Sequence, residues 1–307
     1  MRSDTPRNRV RGIVLTVVAA SCFGLIPFFA KLAYSGGFNP FSFSLFRALG
    51  TAVTLLVILK VKKISLKVEK SHIPELFKAS FFGYFLMMVS LFASYRYIDT
   101  GLATTLHFIY PAATIVGAVL FYKDRATLLQ IAAVTLVLPG IYLIAGTNCS
   151  GQAALYGIIL ALVSGLFYAY YILVVAHGTI NNINSLLIIF YICLFNSITL
   201  LITTVITGNL SLDVSFAGLV SSTMMVLVSS VFGMVAFQEG LKAISAAAAA
   251  VLSTFEVITS LAIGVIVLGE SLGNLQLIGC LLVVVSVIFV ALPEKESHTQ
   301  LDAIKDN

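Results

Sequence analysis

The sequence predicts an all-α integral membrane protein: ten transmembrane helices arranged as two inverted five-helix repeats. Three observations predict it, namely a composition that water cannot accommodate, the spacing of the apolar runs, and a match of the chain to itself at one fixed offset.

The 307 residues are 59% hydrophobic and only 10% charged, with a mean hydropathy of +1.05. An average soluble domain carries about 25% charged residues, so the solvent for most of this surface is expected to be lipid. The net charge of +5 and a pI near 9.0 would raise the question of nucleic acid in a soluble protein. Here the basic residues flank apolar runs and set orientation, so no nucleic acid partner is expected. The expected partners are the lipid bilayer and a small-molecule solute. Cys22, Cys149, Cys193 and Cys280 form no C-x-x-C pair and read as packing residues, with no metal, cofactor or disulfide framework implied.

Apolar runs fall at 12–34, 40–59, 75–97, 101–122, 126–146, 154–176, 184–207, 216–238, 246–268 and 273–292. Each is close to the roughly 20 residues that cross a hydrocarbon core at 1.5 Å per residue. An open strand cannot satisfy its backbone in lipid, and the strict alternation of a membrane barrel is missing, so each run is read as a helix. The breaks carry turn residues: Ser35-Gly36-Gly37, Asn148-Cys149-Ser150-Gly151, Asn181-Asn182 and Gly269-Glu270-Ser271. The Arg-rich start resembles a signal-peptide n-region, but the first run is too long for an h-region and reads as a retained helix. Residues 293–307 read as a polar cytoplasmic tail.

Orientation follows from Lys and Arg in the loops. Arg2, Arg7, Arg9 and Arg11 precede the first run. Lys60, Lys62, Lys63, Lys67 and Lys70 follow the second, Lys123 and Arg125 the fourth, Lys242 the eighth and Lys295 the tenth. With ten helices all of these share one side, which places both termini in the cytoplasm and the protein in the cytoplasmic (inner) membrane.

Sliding residues 98–138 onto 244–284, a shift of 146 without a gap, aligns Ile98 with Ile244, Ala103 with Ala249, Asp124 with Glu270 and Gln130 with Gln276; upstream, Arg96 meets Lys242. Apolar matches are cheap, but the polar ones at a single offset are not. Two five-helix units follow, 12–146 and 154–292. Because five is odd, the second unit enters from the opposite side, a ground plan common among secondary transporters.

The most specific stretch runs from Leu241-Lys242-Ala243-Ile244-Ser245-Ala246-Ala247 through Phe255-Glu256 and Leu268-Gly269-Glu270-Ser271-Leu272 to Leu275-Gln276-Leu277-Ile278-Gly279. A looser copy lies in Tyr95-Arg96-Tyr97, Tyr110-Pro111, Lys123-Asp124-Arg125 and Gln130. With Arg47, these resemble the EamA-type permeases of the drug/metabolite transporter superfamily across about 12–292. The resemblance implies ten helices, a central cavity between the halves, and a small solute such as an amino acid or amine. Two departures stand out. Val257 occupies the proline position after Glu256, which predicts an unkinked helix there, and Tyr110 occupies the glutamate position of the first half.

Seven residues are expected to bind or couple the solute. Glu256 lies near the bilayer midplane, where a carboxylate is costly and needs a cavity or partner. Arg47 lies seven residues past Pro40, roughly 10 Å deep by helix rise, and offers a planar fork to a carboxylate. His107 and Tyr110 share a helix face, and their repeat counterparts are Ser253 and Glu256. Tyr168, with Tyr170, Tyr171 and Phe23, supplies aromatic walls, against the plainer reading as interfacial belt or core. Asn196 reads also as interhelical glue. Gly157, Ala161, Gly165 and Ala169 form a small-residue stripe for close helix packing. Pro27, Pro111 and Pro139 are expected kinks. No nucleotide loop, paired aspartates, H-E-x-x-H or nucleophile turn occurs, so an intramembrane enzyme is the weaker alternative, as is a non-transporting scaffold with loops this short.

Overall fold

The computed structural model describes residues 6–94, 97–98, 100–145, 152–211, 213–268 and 273–291. Arg96, the turns at 148–151 and 269–271 with Glu270, and the tail at 293–307 lie outside the described residues. Among the described residues the chain is all helical, with no strand.

Seven helical segments are long and apolar enough to cross a membrane: Arg7–Ser35, Pro40–Val61, Lys70–Ser94, Leu155–His177, Ser185–Ile206, Phe216–Ala243 and Ala246–Val267. Three shorter apolar helices, Tyr110–Tyr122, Leu128–Leu143 and Leu277–Val290, occupy the remaining expected runs.

The first long segment comprises α1 (Pro6–Gly24) and α2 (Ile26–Ser35), with Pro27 in the first turn after a break at Leu25. α3 (Pro40–Val61) starts where Asn39 accepts the Ser42 backbone N–H at 2.8 Å and Pro40 occupies the first turn, a pairing of cap and preset φ. α4 (Ile73–Lys78) passes into a π-helical stretch, Ala79–Phe85, and then α5 (Leu86–Ser94). α6 (Thr100–His107) and α7 (Tyr110–Tyr122) are separated by a break at Phe108-Ile109, with Pro111 in the first turn of α7. α8 (Leu128–Ala145) runs through Pro139 without interruption.

The remaining elements are α9 (Gln152–His177), α10 (Ser185–Ile206), α11 (Phe216–Met225), a second π-helical stretch over Val226–Gly233, α12 (Met234–Ala243), α13 (Ala246–Ser253), α14 (Phe255–Leu268) and α15 (Asn274–Ala291). Asn184, Ser215 and Ser245 cap α10, α11 and α13 with their side chains. The expectation of an unkinked helix at Val257 is corrected here: α13 and α14 part at Thr254, whose Oγ1 donates to Val251 O at 2.7 Å. A hydroxyl returning its proton to the preceding turn competes with the helix ladder, so the break needs no proline.

Irregularities recur at or near the offset found in the sequence. Phe108 and Thr254, at the two helix breaks, are 146 apart, and the π-helical stretches begin 147 apart, at Ala79 and Val226. The packing is reciprocal too. α1 packs on α12, α13 and α14, while α9 packs on α5, α6 and α7; α3 lies against α10, and α8 against α15. Small residues permit the approaches. A Cβ on Gly140 would meet Gly279 O at 3.0 Å, and one on Gly36 would meet Gly218 Cα at 2.5 Å. Gly37, at φ +99, turns the chain between α2 and α3 where a Cβ would strike Asp213 O.

The ends of the bundle are tied separately. Beyond the C-terminal end of α3, Tyr191 Oη donates to Leu66 O (2.8 Å), His177 Nε2 pairs with Asp124 Oδ2 (2.8 Å), Thr179 Oγ1 donates to Glu75 Oε2 (2.5 Å), and Gln130 Nε2 donates to Ser245 Oγ (3.1 Å). Ser185 donates to Glu239, which also faces Arg11 at 3.9 Å. Beyond its N-terminal end, Asn39 Nδ2 donates to Asn209 O (2.7 Å) and the Ser215 N–H to Gly36 O (2.8 Å).

Candidate functional site

A cavity of about 130 Å³ lies inside the bundle. Four of the seven expected site residues line it: Arg47, His107, Tyr168 and Glu256. They reach it from α3, α6, α9 and α14, four elements far apart in sequence.

Arg47 is held from two sides. Its Nε–H donates to Ser230 Oγ at 2.9 Å, and its Cζ lies 5.8 Å from the centroid of the Tyr84 ring, within cation–π range. With Nε occupied, the two terminal nitrogens of the fork are left for other acceptors. Glu256 sits in the first turn of α14, where the partial positive charge of the helix start favours a carboxylate. Gly24 brings α1 onto the Glu256 carbonyl so closely that a Cβ there would strike it, and would lie 2.6 Å from Thr259 Cβ. Arg47 and Glu256 face the same cavity, yet neither takes part in an ion pair within 4.0 Å among the described residues. A guanidinium and a carboxyl group left without a partner inside an apolar bundle are costly unless a polar guest satisfies them.

His107 supplies a directed acceptor. Ser164 Oγ commits its proton to Ala161 O at 2.6 Å, so the 2.9 Å contact to His107 Nδ1 is made by the imidazole N–H. In the neutral tautomer that carries its proton on Nδ1, Nε2 is left as an acceptor. Aromatic rings form the walls. Tyr168 stacks on Tyr171 at 5.9 Å, Tyr171 meets Tyr84 at 5.9 Å, and Phe23 meets Phe237 at 6.1 Å. Met87 and Met234 complete the lining with flexible, polarisable side chains.

The other three expected residues stand behind this lining. Tyr110 is fully buried, with its ring 4.8 Å from that of Tyr168 and 5.6 Å from that of His107. Ser253 is buried and donates to Ala249 O at 2.7 Å. Asn196 lines a second, smaller chamber on the far side of Arg47. Tyr84 and Ser230, the two partners of Arg47, are absent from the sequence reading. One signal could have found them: they are themselves 146 residues apart. The stripe on α9 packs as expected, with a Gly165 Cβ meeting His107 O at 2.5 Å and a Gly157 Cβ meeting Ile98 Cγ2 at 2.9 Å.

The model of the EamA-like transporter family matches residues 10–146 and, separately, 155–292. The chain is 24% identical over 284 residues to YcbK, described as an uncharacterized transporter of Bacillus subtilis (strain 168), covering 89% of this chain and 90% of that one. A solved structure described only as "Crystal structure of protein" superposes with a TM-score of 0.78 at 13% identity, covering 91% of this chain and 96% of its own. At that identity the likeness bears on the fold alone.

Proposed function

The chain belongs to the EamA-like transporter family, and from that premise we propose that it is a secondary transporter of a small zwitterionic metabolite, an amino acid or close relative. The observation that carries this reading is the unpaired Arg47 and Glu256 across one cavity. A carboxylate fits the free fork of Arg47, and an ammonium group neutralises Glu256. The aromatic and methionine walls take an apolar side chain. The volume is close to the roughly 150 Å³ of engineered cavities that admit benzene, which suits a solute of modest size.

On this reading the chain crosses the cytoplasmic membrane ten times with both termini inside, as two inverted units over 12–146 and 154–292. Support comes from the two separate family matches, the paired helix breaks and the reciprocal packing of α1 and α9. Two near-equivalent packings related by the repeat provide inward-open and outward-open states around one central site. Labelling of single cysteines with an impermeant maleimide in whole cells tests the orientation. Cysteines at Lys67 and Thr179 are expected to be protected, and cysteines at Ser35 and Ser211 to react. Reaction at all four from outside would break the scheme.

Uptake into proteoliposomes tests the substrate class, using each amino acid beside its decarboxylated amine and its deaminated acid. The zwitterion is expected to compete better than either truncated partner by at least about tenfold, because each truncation leaves one buried charge unmet. Equal competition by all three forms would reject the zwitterion reading.

Glu256→Gln tests this carboxylate both as ammonium site and as proton carrier, and leucine counterflow, which needs no gradient, tells the two apart. If a proton gradient drives transport through this carboxylate, gradient-driven accumulation of leucine is expected to fall by about tenfold or more, since an amide cannot carry the proton. Gradient-driven uptake that survives the substitution would place coupling elsewhere.

A further inference from the structure

The chamber behind Arg47 measures about 10 Å³ and is lined by Ser44, Thr51, Cys193, Asn196 and Ser230. Asn196 is 1% exposed, and its Oδ1 has no hydrogen-bond partner. A buried amide oxygen left unmet is costly, so direct bonding between helices does not account for Asn196 at this atom.

Three hydroxyls around it are committed elsewhere and do not supply the missing donor. Ser44 Oγ donates to Pro40 O at 2.7 Å, Thr51 Oγ1 to Arg47 O at 2.6 Å, and Ser230 Oγ to Met225 Sδ at 3.6 Å. Each hydroxyl therefore presents only lone pairs to the chamber, beside the lone pairs of Asn196 Oδ1. The remaining donors are the terminal nitrogens of Arg47, the amide nitrogen of Asn196 itself, the Tyr84 hydroxyl and the weak Cys193 thiol, none of which reaches Asn196 Oδ1 directly. An anion would face a wall of acceptors. A metal cation would sit against a guanidinium charge. One water needs about 10–15 Å³ and two to four polar partners, and it alone both donates twice and accepts.

We propose that this chamber holds one ordered water that donates to Asn196 Oδ1 and accepts from the Arg47 guanidinium, making Asn196 a positioning residue for Arg47. The water is the third fixed point of the fork, after Ser230 on Nε and the Tyr84 ring. It sets which edge of the guanidinium turns towards the main cavity, and so the pose in which a carboxylate is received. The functional half of this inference rests on the reading of Arg47 as a carboxylate site; the water itself does not.

Two readouts keep those halves apart. A structure at a resolution that shows other buried waters is expected to place a density peak within hydrogen-bond distance of Asn196 Oδ1 and an Arg47 nitrogen. An empty chamber there overturns the proposal, whatever the protein transports. In proteoliposomes, Asn196→Leu fills the chamber with apolar atoms, and the KM for leucine is expected to rise about tenfold with kcat little changed. Asn196→Asp places a carboxylate beside Arg47 and is expected to remove leucine competition while sparing isoamylamine, which has no carboxylate. Asn196→Ser keeps an oxygen acceptor with room for water, and is expected to recover most of the wild-type KM. Should the leucine variant fail to fold, the Asp and Ser pair decides. Wild-type leucine KM in both Leu and Asp variants, or equal losses for leucine and isoamylamine in Asp, would sink the positioning role.

Discussion

Arg47→Ala is expected to raise the KM for leucine by about a hundredfold while leaving isoamylamine uptake unchanged or improved. Removing one member of a desolvated charge pair costs about 2–5 kcal/mol, and two decades of affinity correspond to about 2.7 kcal/mol. The amine is spared because Arg47 offers it only repulsion. Arg47→Lys keeps the charge but loses the planar fork and its contacts with Ser230 and the Tyr84 face, so an intermediate loss of about tenfold is expected. Competition assays in proteoliposomes with the two compounds side by side decide the matter. Equal losses for leucine and isoamylamine would mean that Arg47 holds the bundle together and does not recognise the solute.

The second large effect is structural. Gly165→Val is expected to lower stability by about 3 kcal/mol, the upper part of the ordinary range for overpacking, or to abolish folding. A Cβ at Gly165 would lie 2.5 Å from the His107 carbonyl oxygen and 2.6 Å from Ile109 Cγ2. The obstacle is the backbone where α6 meets α7, and backbone cannot rotate aside as a side chain can. Ala161, one turn away on the same stripe, is buried against Ile98 and Ala103 in its own cluster. Ala161→Gly leaves that contact short of only a methyl group and is expected to cost about 1 kcal/mol. Thermal unfolding in detergent, with the yield of monodisperse protein, measures both. A Gly165→Val protein with wild-type melting behaviour and yield would show that α9 has slack the structure does not display.

Much of the helical plan was legible because lipid imposes a length and a polarity on each crossing. The runs beginning at Pro40 and Ser185 are uninterrupted and apolar, and their helices begin within about a residue of the expected starts. That Arg47 and Glu256 stand inside apolar runs was legible too, since a charge there is conspicuous. Their convergence on one cavity was not. Residues apolar all round give no face, so the sequence does not say which way a helix turns. The break at Thr254 was hidden because it rests on a hydroxyl returning to its own backbone and carries none of the usual punctuation. Tyr84 and Ser230 were hidden for a related reason: a tyrosine and a serine in a membrane run read as belt and packing until a guanidinium is seen between them. Asn196 was singled out by polarity, but its place behind Arg47 depends on the crossing of α3 and α10.

The two turns that carry surplus residues have a mechanical meaning. Tyr84 lies in the stretch Ala79–Phe85 and Ser230 in Val226–Gly233, so both groups gripping Arg47 ride on wide, underwound coils. Absorbing the extra residue of such a coil into ordinary α geometry advances everything beyond it by one residue, about 100° of rotation, with only a local exchange of ladder bonds. Either coil can thus act as a crank, swinging its grip away from the guanidinium as the segment beyond it turns. Loosening the hold on the guanidinium is then a matter of torsion along a helix axis, within the exchange of the two packings.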